Sequence, residues 1–100
     1  MNKSQEKSYL AKAEVTTLKA SRYMKALCNH FDRKAKASYD DVDGQIEFSF
    51  GNCNLKAADD RLFVTATAQD SDQLERTKQV VASHLVKFGQ KDELHVEWVG

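Results

Sequence analysis

Residues 20–34, ASRYMKALCNHFDRK, are the stretch whose reading decides the fold. Ala20, Tyr23, Met24, Leu27 and Phe31 recur at three- and four-residue steps, so a helix gathers them onto one apolar stripe. On the same wheel, at about 100° per residue, Lys19, Arg22, Lys25, Asn29 and Arg33 fall on the opposite side and form a mostly basic outer face. An apolar stripe of this width requires a cover, and the segments around it read as that cover.

Upstream, Tyr9 to Thr16 alternates, with Tyr9, Ala11, Ala13 and Val15 on one side and Leu10, Lys12 and Glu14 on the other. That is a half-buried strand. Thr16 and Thr17 offer hydroxyls to the orphan N–H groups at the start of the helix. Residues 1–7 are polar and read as a disordered tail ahead of a single domain over residues 8–100.

Downstream of Lys36 the chain becomes a run of short strands: Ala37 to Asp40, Gln45 to Phe50, Cys53 to Ala58 and Arg61 to Ala68. Asp43-Gly44 and Gly51-Asn52 are tight-turn dipeptides and Asp59-Asp60 a third, weaker turn. A turn at Gly51-Asn52 pairs Phe50 with Cys53, so Ile46, Phe48 and Phe50 share an apolar face with Cys53, Leu55 and Ala57. In the next strand Leu62, Val64, Ala66 and Ala68 are in better register with that face than Phe63, Thr65 and Thr67.

A second helix opens at Asp70-Ser71-Asp72-Gln73, where Asp70 caps the backbone and Gln73 can reach back. Its stripe is Leu74, Thr77, Val81, His84, Leu85 and Phe88, and Gly89 is expected to end it in the left-handed conformation. A last strand, Leu94 to Val99, alternates again. The order β-α-β-β-β-β-α-β, with two amphipathic helices and one sheet face to receive them, predicts an α+β two-layer sandwich with both helices on one face of an antiparallel sheet.

One hundred residues, 41% hydrophobic and 30% charged, suit one small domain with a single core. No apolar run approaches the roughly 18 residues of a membrane span, and the polar start has no signal-peptide core. Both readings place the protein in the cytoplasm, where Cys28 and Cys53 are free thiols rather than a disulfide framework.

The formal net charge of zero conceals a split. Residues 1–36 hold nine Lys or Arg against three Asp or Glu, and the remainder six against twelve. Such a dipole orients a charged partner or favours head-to-tail association, and the sheet edges leave a homodimer open. A nucleic-acid binder carries a more basic total.

Three residues make the sharpest chemical candidate. Cys53 faces the helix layer, His84 lies in its helix's apolar stripe, and His30 borders the first stripe. If the helices pack side by side over the middle strands, these converge, and two imidazoles with a thiolate suit zinc or a haem iron. The competing readings are a buried polar cluster that fixes helix packing and the rim of a ligand pocket.

Weaker signals weigh against other chemistry. Cys28 and His30 lie roughly 160° apart on the wheel and cannot share one metal. Asp41-x-Asp43-Gly44 lacks the other ligands of a calcium loop, and no glycine-rich phosphate loop follows a strand. The basic face of Lys19, Arg22, Lys25 and Arg33 is a candidate surface for an anion or an acidic protein.

Four blocks carry a resemblance: ASRYMKALCNHF at 20–31, GQIEFSFGNCNL at 44–55, HLVKF at 84–88 and VEW at 96–98. Together they resemble the small bacterial proteins grouped as domain of unknown function 2218. The resemblance implies an α+β domain without an established activity, so it brings no catalytic residue. It sets Cys28, His30, Phe50, Gly51, Cys53, His84 and Trp98 at motif positions, and Ser49 where proline is frequent. Relatives beside siderophore-interacting flavin reductases imply iron metabolism as a context.

The sequence therefore reads as a non-enzymatic binding or accessory module for a protein or a small ligand, with a link to iron or siderophore metabolism. A metal- or haem-binding protein using inward His and Cys residues is the alternative, and an enzyme working through an unidentified cofactor is a third class.

Overall fold

The computed structural model describes residues 9–33 and 35–99. The expected tail over residues 1–7 lies outside the described residues. Eight elements follow in the expected order: β1 (Tyr9–Thr16), α1 (Ala20–Phe31), β2 (Lys36–Tyr39), β3 (Asp43–Phe48), β4 (Gly51–Ala57), β5 (Arg61–Ala68), α2 (Ser71–Phe88) and β6 (Glu97–Val99). A 3₁₀ turn, Gln90–Asp92, follows α2. Among the described residues, no helix is long and apolar enough to cross a membrane.

The strands form one antiparallel sheet in the order β2-β3-β4-β5-β1-β6. β1 pairs with β5 along its whole length, Ala13 opposite Val64 and Val15 opposite Leu62, and β6 pairs with the outer side of β1 through Trp98 opposite Ala13. This register puts Ala11, Ala13, Val15, Ile46, Cys53, Leu55, Leu62, Val64 and Ala66 on one face, all buried. Both helices lie on that face. Tyr23, Met24, Leu27 and Phe31 of α1 and Leu74, Thr77, Val81 and Leu85 of α2 fill the space above it. Two apolar clusters result, and Trp98 packs against both.

The helix starts differ in chemistry. Asp70 adopts extended dihedrals and its Oδ1 accepts the Gln73 N–H at 2.8 Å, the expected cap of α2. At α1 the residue before the helix is Lys19, which caps nothing with its side chain; the Thr17 hydroxyl instead accepts the Lys19 N–H at 3.0 Å.

The turns depart from expectation at two hairpins. β3 and β4 join through Ser49-Phe50, so that Phe48 faces Gly51 and Ile46 faces Cys53. The expected partner of Cys53 was Phe50. Because the shift is by an even number of residues, Cys53 keeps its face. β2 and β3 join through Asp41-Val42, with the Asp40 carboxylate accepting the N–H groups of Val42 and Asp43, both at 2.8 Å. Asp43 and Gly44 lie within β3.

The glycines sit where they do for room. A Cβ on Gly44 would come 3.0 Å from Met24 Cγ and 3.1 Å from Cys28 Sγ, and one on Gly51 would overlap the Thr77 hydroxyl and lie 2.7 Å from the Thr67 carbonyl oxygen. These are close approaches of helix to strand. Gly89 is not left-handed either, having φ −99°; a Cβ there would strike Leu94. Glu93, at φ 53°, is left-handed instead. The last strand is shorter than expected because residues 94–96 lead into it without pairing.

Candidate functional site

The start of α1 and the end of α2 meet beside a cleft of about 420 Å³. Lys19 immediately precedes α1 and Arg22 lies in its first turn, where the N–H groups of a helix start add to their positive charge. Lys87 comes from the last turn of α2, and Lys91 and Asp92 from the 3₁₀ turn that folds back after Gly89. Tyr23 and Phe88 form the less polar wall. Four cations thus surround a hollow that contains one carboxylate.

That carboxylate is already engaged. The Tyr23 hydroxyl donates to Asp92 Oδ2, and Lys19 Nζ stands 3.3 Å from the same oxygen. The phenol bond, and after it Lys19, hold the Asp92 carboxyl below its usual range. The same bond, followed by partial burial, raises the phenol of Tyr23. Both shifts keep the pair in its donating and accepting forms at neutral pH. Arg22, Lys87 and Lys91 make no ion pair among the described residues.

Two residues of the expected basic face do not take part. Lys25 reaches Asp41 in the β2–β3 turn, with Nζ 2.6 Å from Oδ1, and Arg33 lies exposed beyond the far end of α1. Wheel geometry identified Lys19 and Arg22 but could not find Lys87, Lys91, Asp92 or the role of Tyr23. The available signal was a pair of lysines flanking the helix-ending Gly89.

A depression of about 490 Å³ beside β2 and β3 is a poorer candidate. Its carboxylates are occupied, Asp40 within its turn and Asp43 with Lys56 Nζ at 3.7 Å.

The structure brings together two of the three residues expected to converge. The ring centroids of His30 and His84 lie 4.7 Å apart, across the seam between the helices. Phe31 stands edge-on to both, at 4.9 Å from His30 and 4.8 Å from His84, and Phe88 lies 5.6 Å from His30. His84 Nδ1 is 2.7 Å from the Val80 carbonyl oxygen. A carbonyl only accepts, so Nδ1 carries the proton, and in the neutral ring Nε2 carries the lone pair.

Cys53 does not complete a metal-holding set with them. No group of three His, Cys, Asp or Glu side chains among the described residues could hold a metal ion. Cys53 is fully buried opposite Ile46 and Ala66. Burial pushes its thiol far up, with nearby Cys28 adding to the effect. Cys28, under α1, is pushed up to about 11 for the same first reason. Both are free, buried thiols without nucleophilic character at neutral pH.

Residues 12–99 match the family described as "Uncharacterized protein conserved in bacteria (DUF2218)". The chain is similar to the NMR structure of PA4090 from Pseudomonas aeruginosa, with 30% identity, a TM-score of 0.77, and coverage of 91% of this chain and 95% of that one. No curated protein matches.

Proposed function

The chain belongs to this uncharacterised bacterial family, DUF2218, and from that premise we propose that it is a non-enzymatic binding module whose cleft between the start of α1 and the end of α2 takes a small anion. One observation carries the reading: Arg22, Lys87 and Lys91, supplied by different elements, line a shared hollow and make no ion pair among the described residues, its one carboxylate, Asp92, being held by Tyr23 and Lys19. A ligand carrying two or three phosphate or carboxylate oxygens provides that charge. The volume of about 420 Å³ is in the range of small-ligand sites.

The surrounding groups favour holding over transforming. Arg22 can bind an anion through two parallel N–H bonds, the lysines act as point charges, and Phe88 offers an apolar wall. Tyr23 and Asp92 position Lys19 and the 3₁₀ turn at the rim. Anionic metal chelates, the ligands an iron context would offer, fall within this class.

Calorimetric titration with pyrophosphate and citrate at low ionic strength tests the proposal. Saturable binding that weakens with added salt and is lost in Arg22→Glu and Lys91→Glu, but kept in Arg33→Glu, supports it. Equal binding in all three variants, or no binding of either probe, removes it.

A further inference from the structure

Independently of the anion cleft, we infer that His30 and His84 form a two-imidazole chelate for a divalent transition metal, with Cu²⁺ the preferred ion. The tautomer of His84 is set by its hydrogen bond. Because Nδ1 of His84 donates to the Val80 carbonyl at 2.7 Å, the neutral ring presents its lone pair at Nε2. A histidine whose second nitrogen is fixed in this way is the usual metal-ligating arrangement.

Distance supplies the next step. An imidazole nitrogen binds such a metal at about 2.0–2.1 Å, which puts the ring centroid about 3.2 Å from the ion. Two rings meeting at an angle of about 90–109° then have centroids about 4.5–5.2 Å apart, whereas a linear pair needs about 6.4 Å. The observed 4.7 Å lies in the bent range and excludes the linear one without movement of the helices.

Access and rigidity are both present. His30 is exposed and His84 half-buried, so an ion reaches the pair from solvent. The edge-on ring of Phe31 limits the tilt of both imidazoles. No third protein ligand stands near among the described residues, so the remaining positions belong to water or an exogenous donor. A site with two imidazole ligands and the metal's other positions open ranks the ions by the ordinary divalent series, Cu²⁺ above Ni²⁺ and Zn²⁺.

Tag-free protein titrated with Cu²⁺, Ni²⁺ and Zn²⁺ by calorimetry tests this. The expected result is one Cu²⁺ per chain, with affinity reduced about tenfold or more in His30→Ala and in His84→Ala and unchanged in His95→Ala. His30 is exposed, so its variant keeps the fold, which far-UV circular dichroism verifies. Copper binding that survives His30→Ala, that depends on His95, or that is absent at micromolar concentration overturns the inference.

Discussion

The hydroxyl of Tyr23 donates to the carboxylate of Asp92, residues 69 positions apart in the chain. This bond pins the 3₁₀ turn after α2 to the first turns of α1 and defines one wall of the cleft. Tyr23→Phe and Asp92→Asn are each expected to lower the urea midpoint. The double variant should lose less than the two single losses together, because they remove the same bond. Additive losses would show that the bond contributes nothing.

The same pair sets a pH dependence. The Asp92 carboxyl is held below its usual value, so unfolded chains bind that proton more readily than folded ones. Its contribution to stability is therefore present above the unfolded value of about 3.9 and is lost as pH falls through the lower folded value. Urea melts from pH 6 to pH 3 should show a loss for the parent protein that is smaller in Asp92→Asn. Parallel curves would contradict the assignment.

Gly51→Ala is expected to destabilise the fold by about 1–3 kcal/mol, although the residue is an ordinary strand position by its dihedrals. Its new methyl meets the Thr77 hydroxyl and the Thr67 carbonyl at once, and the carbonyl cannot move without disturbing the sheet. A neutral effect in chemical denaturation would mean that α2 and β5 separate more easily than their packing indicates.

The two thiols should be silent. Burial raises both, Cys28 to about 11 and Cys53 further, so native protein at pH 8 should resist an aromatic disulfide reagent while unfolded protein gives two thiols per chain. Stability attributable to Cys28 declines as pH rises from the unfolded thiol's value of about 8.5 toward 11, since only the unfolded chain ionises freely in that window. Rapid native labelling of either cysteine would disprove the packed core around them.

The layers of this fold were legible from the α1 stripe and the alternation in β1, β4 and β5, because burial on one face imposes a period that neighbours cannot hide. Asp70 likewise announced α2 through a local bond. The Asp59-Asp60 turn and the end of α2 at Gly89 were legible as well, but the other two hairpin turns were not, since Gly44 and Gly51 read as turn residues while the molecule uses them to admit Met24 and Thr77. That requirement exists only once helix and strand are packed.

The cleft was half visible. Lys19 and Arg22 follow from the helical wheel, but Lys87 and Lys91 join them only because α2 ends beside the start of α1. Lys25 was drawn away by Asp41, a partner supplied by a turn that the wheel does not contain. His84 was expected in its helix's stripe and His30 at the border of the other, and they meet; Cys53, placed inward as expected, forms no metal-holding group with them among the described residues.

The most direct test of the account is an amide ¹⁵N–¹H correlation spectrum followed through a pyrophosphate titration at low salt. Saturable shifts confined to residues 19–23 and 87–92 are the predicted result. Shifts clustered instead around Lys25 and Arg33 on the outer face of α1, or scattered shifts that never saturate, would contradict the anion cleft.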